Sequence, residues 1–69
     1  MIAGNIKKFR IELKLTQEAL ARKADLSYNT IIKLESGASP TPRIDTLVKV
    51  ADALEISLDK LVGRKNNAK

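Results

Sequence analysis

Cysteine and histidine are both absent from these 69 residues, and together the two absences remove most of the side-chain chemistry of small catalytic and metal-binding domains. A disulfide framework, a Cys/His zinc site and a nucleophile with an imidazole or thiolate partner are all excluded by inventory. The eight Asp and Glu residues are scattered along the chain, so neither an enzyme nor a metal or cofactor site is expected. Aromatics are nearly missing, with one Phe, one Tyr and no Trp. Stacking of successive bases of a single strand is therefore not expected, and any core must be filled by Ala, Leu and Ile. No apolar run approaches the roughly 18 residues that suggest a membrane span. The N-terminal residues also lack the apolar stretch of a signal peptide. The expectation is a cytoplasmic protein without membrane contact and without a small-molecule ligand.

What the chain does hold is positive charge. Thirteen Lys and Arg against eight Asp and Glu give a net charge of +5 and a pI near 9.8, a balance that suits a polyanionic partner or mere solubility. Only a motif beside it can decide between them. The length is that of one domain, close to the size at which a single core becomes marginal.

Periodicity and caps predict five helical segments. Ile2, Ile6, Phe9 and Leu13 recur at helical spacing with Lys7, Lys8 and Lys14 on the wetter side. A first helix is therefore expected to close at Leu15, with Phe9 as its largest core residue. The densest signals lie in residues 16–37, TQEALARKADLSYNTIIKLESG. Thr16 is a capping residue ahead of a seam at Leu20, Ala21 and Ala24. Ser27 caps a following segment in which Ile31 and Leu34 point inward, and Gly37 supplies a left-handed terminator. Two short helices separated by a turn near Asp25 make a helix-turn-helix, in which Ala21 is small because the helices cross steeply and Leu26 plugs the turn. Both prolines fall in residues 38–43, which must be loop. A fourth helix over about 44–54 would place Ile44, Leu47, Val48, Ala51 and Leu54 on one seam, with Lys49 and Asp52 toward water. After a break at Glu55 and Ile56, Ser57 caps a short fifth helix that carries Leu58, Leu61 and Val62 and ends at Gly63. The fold class so read is all-α, a compact five-helix bundle around a helix-turn-helix over residues 1–63, followed by a basic, disordered tail over 64–69.

The run TQEALARKADLS, then NTIIKLESG, a proline, and TLVKVADALEISLDKLVG resemble the phage repressor and Cro-type (XRE family) DNA-binding domain, the lambda repressor-like fold, over nearly the whole chain. Gln17, Ala21, Leu26, Ile31, Leu34 and Gly37 stand where that motif places them. Asp25 stands where many members carry glycine, and aspartate tolerates the left-handed backbone better than most residues. The resemblance implies a structural ion pair between Arg10 and Glu35. It also implies a phosphate contact from Gln17, and another near Arg43 in the loop before the fourth helix. Dimerisation through the last two helices is implied as well, where Ile56 and Leu58 are the apolar residues at the rim. Those two could equally close a monomeric core.

Geometry adds the reading surface. Positions 28, 29, 32 and 33 share one face of the third helix, opposite 31 and 34. Asn29 has the amide that pairs with adenine, Lys33 a donor for guanine, Ile32 a surface for a thymine methyl, and Tyr28 a hydroxyl for a phosphate or a base. Each has a plainer reading: Ile32 extending the core, Asn29 facing solvent, Lys33 touching phosphate alone, Tyr28 packing. Thr16, Gln17, Ser27, Thr30 and Arg43 are the expected phosphate contacts, the first two at a helix N-terminus whose free N–H groups suit an anion. The expected function is a sequence-specific double-stranded DNA-binding transcriptional regulator, a repressor, bound as a homodimer to a palindromic operator. The alternative is a protein-interaction module such as an antitoxin or a bridging factor. Salt separates the two, because phosphate-driven binding falls steeply as salt rises.

Overall fold

The computed structural model describes residues 2–38 and 41–63, so the tail over 64–69 and the loop residue Pro40 lie outside the described residues. Five helices account for most of the rest: α1 (Ile2–Glu12), α2 (Gln17–Ala24), α3 (Tyr28–Ser36), α4 (Ile44–Leu54) and α5 (Leu58–Val62). No strand occurs among the described residues.

One three-residue device joins three of the helix pairs. Lys14, Asp25 and Glu55 all adopt left-handed backbone, with φ of 58°, 58° and 62°. Each ends a helix, and the residue after it turns its N–H back onto that helix: Leu15 to Arg10 O, Leu26 to Ala21 O, Ile56 to Ala51 O. The third residue, Thr16, Ser27 or Ser57, then caps the next helix by accepting an N–H from Ala19, Thr30 or Lys60. The middle residue is apolar every time and half-buried against the core. Four residues past each cap stands Leu20, Ile31 or Leu61, each wholly buried, which is the partner position for such a staple. Three consecutive residues thus make both the stop and the restart.

Between these corners the apolar faces converge on one core of Ile6, Phe9, Leu20, Ala21, Ala24, Ile31, Leu34, Leu47, Val50, Ala51, Ala53, Leu54 and Leu61. α3 packs on α1 and α2, while α4 packs on α2, α5 and α1. Asn5 donates its amide to the Leu61 carbonyl at 2.9 Å, satisfying an acceptor in the last turn of α5 that no helical N–H reaches.

Two expectations are corrected. The first helix stops at Glu12, because Lys14 takes the left-handed conformation, and Leu13 is left exposed. The seam of α4 is also turned: Val50 and Ala53 are buried with Leu47, Ala51 and Leu54, whereas Ile44 is 63% and Val48 41% exposed. The reason is the position of α2, whose Lys23 and Ala24 share a cleft with Lys49, Asp52 and Ala53. Packing on that flank draws Ala53 inward and leaves Ile44 and Val48 at the opposite edge.

Left-handed backbone costs a non-glycine residue about 1–2 kcal/mol, and glycine gives back part of that gain as unfolded-state entropy. Lys14→Gly is expected to stabilise the fold by about 0.5–1 kcal/mol, raising the thermal midpoint by about 4 °C. Thermal unfolding followed by circular dichroism measures this, and an unchanged or lowered midpoint would contradict the assigned strain.

Candidate nucleic-acid interface

α3 is held from behind by Ile31 and Leu34, both buried, which turns Tyr28, Asn29 and Lys33 to solvent and leaves Ile32 half-buried at the boundary. Tyr28 is 45% exposed, a large amphipathic side chain that lines a cleft with α2 and still reaches solvent. Three chemistries share this face: an amide, an ammonium and a phenol. No buried residue interrupts them.

The rotation of α3 about its own axis is set at its far end. Arg10 donates from Nε to Glu35 Oε2 at 2.6 Å and from a terminal nitrogen to Oε1 at 3.1 Å, a two-pronged contact, while its other terminal nitrogen reaches the Leu15 carbonyl at 2.8 Å. Gln17 donates its amide to the same Glu35 Oε1 at 3.1 Å. One carboxylate thus ties α3 to α1 and to the start of α2. The Arg10 and Glu35 side chains are 12% and 5% exposed, and no buried side-chain polar atom among the described residues lacks a partner.

The residues expected to contact phosphate are exposed or half-buried. The Thr16 hydroxyl accepts the Ala19 N–H at 3.0 Å, which leaves the N–H groups of Gln17 and Glu18 as the open donors of α2. Ser27 accepts the Thr30 N–H at 3.1 Å, and the two hydroxyls are 2.8 Å apart. Arg43, 83% exposed, is 3.4 Å from Asp45, a solvated pair of little energetic weight that an incoming anion can replace.

Two placements add to what the sequence implied. The Gln17 side chain is turned inward onto Glu35, with one amide hydrogen left for another acceptor. Ile56 and Leu58 are half-buried and packed on the core; the exposed apolar side chains of the last two helices are instead Ile44 and Val48. Sequence reasoning also missed the Leu15 carbonyl as the third anchor of Arg10. That carbonyl belongs to a turn, and turn carbonyls carry no side-chain signal.

The helix-turn-helix family profile matches residues 6–61. The chain is 44% identical over 55 residues to a transcriptional repressor of the cryptic phage CTXphi in Vibrio cholerae, an alignment covering 80% of this chain and 48% of that protein. It is 35% identical over 69 residues to an uncharacterized HTH-type transcriptional regulator of Bacillus subtilis, covering 100% of this chain and 59% of the relative. To the immunity repressor protein of Bacillus phage phi105 it is 39% identical over 64 residues, 93% of this chain and 44% of the relative. The chain therefore spans about half the length of the relatives it matches.

Removing one member of a nearly buried ion pair strands the other without a partner. Glu35→Ala is expected to cost about 3 kcal/mol, the low end for buried pairs because Arg10 keeps some access to water. Arg10→Met combined with Glu35→Leu should recover more than half of that loss, since two apolar side chains replace the charges together. Urea unfolding of the three proteins measures both; a Glu35→Ala cost under about 1 kcal/mol would demote the pair to a surface contact.

Proposed function

The chain belongs to the XRE-type helix-turn-helix family, and from that premise we propose that it is a sequence-specific, double-stranded DNA-binding transcriptional repressor. The observation that carries the reading is the outer face of α3, where Tyr28, Asn29 and Lys33 are exposed on a helix whose rotation is fixed by the Glu35 contacts. A rigid helix with polar donors on one face is what direct readout in the major groove needs.

Residues 1–63 form the binding unit. Asn29 pairs bidentately with an adenine, Lys33 donates to a guanine, and the outer part of Ile32 meets a thymine methyl. The open N–H groups of α2, together with Thr16 and the spare amide hydrogen of Gln17, hold a phosphate. Ser27, Thr30 and Arg43 hold others and set the register. Two copies related by a two-fold axis place their α3 helices about 34 Å apart, one turn of the duplex, and so require a palindromic operator. Ile44 and Val48 of α4 offer exposed apolar surface for that association, and the half-buried Ile56 and Leu58 are the other candidates.

Selection from a random duplex pool near physiological salt tests the reading as a whole. The expected result is a palindrome with half-sites one turn apart. Asn29→Ala should relax one base position in each half-site by about 1–3 kcal/mol, while Arg43→Ala should weaken all sequences alike and lower the salt slope by about 0.9 per copy, about 1.8 for the dimer. Failure to enrich any sequence would sink the proposal. Retention of a protein partner at salt that strips DNA would then favour the interaction-module reading.

A further inference from the structure

An open cleft of about 330 Å³ lies where α2 meets α3, lined by Glu18, Ala21, Arg22, Leu26 and Tyr28. Its floor is apolar: Ala21 is buried and Leu26 half-buried. Its walls are polar, with Glu18 and Arg22 exposed on successive turns of α2 and Tyr28 opening α3. Tyr28 belongs both to this cleft and to the outer face of α3, so the cleft borders the surface assigned above to DNA.

Arg22 is the one arginine among the described residues with no carboxylate partner. Arg10 is paired with Glu35 and Arg43 with Asp45, and the neighbouring Lys23 is paired with Glu55. A guanidinium and a phenol lining one cleft over an apolar floor suit a phosphodiester: two N–H groups match two non-bridging oxygens, and the hydroxyl supplies a third donor. Glu18 on the same wall repels that group and limits how near the backbone can come.

Resting on the DNA-binding reading, we propose that Arg22 and Tyr28 grip one backbone phosphate bordering the α3 site, with Glu18 opposing it. Tyr28 thereby serves register, and base discrimination falls to Asn29, Ile32 and Lys33. Arg22 is a positioning residue: it adds affinity at every sequence and preference at none.

The test is fluorescence anisotropy on the duplex enriched by selection, from about 50 to 200 mM salt. Arg22→Ala should flatten the salt slope by about 0.9 per copy, about 1.8 for the dimer, and weaken binding several-fold with the order of sequence preference unchanged. Arg22→Lys should restore the slope, Tyr28→Phe should weaken binding without changing the slope, and Glu18→Gln should tighten it. Lys49→Ala, an equal change of charge in the cleft between α2 and α4, should leave the slope as it is. An unchanged slope in Arg22→Ala, or an equal loss in Lys49→Ala, would overturn the assignment while the regulator reading stood. A wild type that binds no duplex would overturn both.

Discussion

The Glu35 carboxylate is the contact on which the geometry of the interface depends. α3 has only nine residues, and a helix that short is not stable by its own hydrogen bonds. Its apolar anchors, Ile31 and Leu34, fix its depth, but two side chains one turn apart leave it free to roll. Arg10 and Gln17 remove that freedom by meeting Glu35 from two different helices. The net stabilisation of such a cluster is modest, because the charges lose hydration in forming it. Its value is directional, since a roll of a few tens of degrees would turn Asn29 and Lys33 away from the face they share, and with it from the base edges proposed for them.

The same economy governs the corners. In a chain with three glycines, only two helices end on one, at Gly37 and Gly63. The other three stops are made by Lys, Asp and Glu, which accept left-handed strain so that the next residue can serve two helices at once. Leu15, Leu26 and Ile56 each close the helix behind and staple the helix ahead. Corners this short allow helices of five to eleven residues to share one core, and the core in turn sustains the strain.

Much of this was legible in the letters, and for a stated reason. Caps, apolar spacing and terminal glycines are local, so the limits of α2, α3, α4 and α5 follow from them. The pattern of Leu-Thr, Leu-Ser and Ile-Ser before each helix is local too. The errors arose where a partner helix decides. Nothing within α4 distinguishes a seam through Ile44 and Val48 from one through Val50 and Ala53, since both are apolar at helical spacing; the position of α2 selects the second. Gln17 is a different case: its amide bonds Glu35 and keeps one hydrogen for the phosphate expected there, and only the approach of α3 to α1 brings Glu35 within reach. Lys14 gave no warning, because lysine is an ordinary helix former and its left-handed turn is imposed by the burial of Leu15.

These constraints bear on how affinity and specificity can divide in so small a protein. A base-edge contact is worth about 1–3 kcal/mol of discrimination, and one α3 offers only three or four side chains for it. On the proposed reading, a single copy would contact too few base pairs to find one site among many. Phosphate contacts add affinity without adding information, so a larger positive charge would deepen nonspecific binding rather than sharpen choice. Doubling the reading surface by two-fold pairing is the remaining route. Doubling helps, however, only if each α3 keeps its roll to within the tolerance of a bidentate hydrogen bond, because an error in one half-site is repeated in the other. On the proposed reading, a fixed α3 and pairing on a palindrome would be two parts of one requirement.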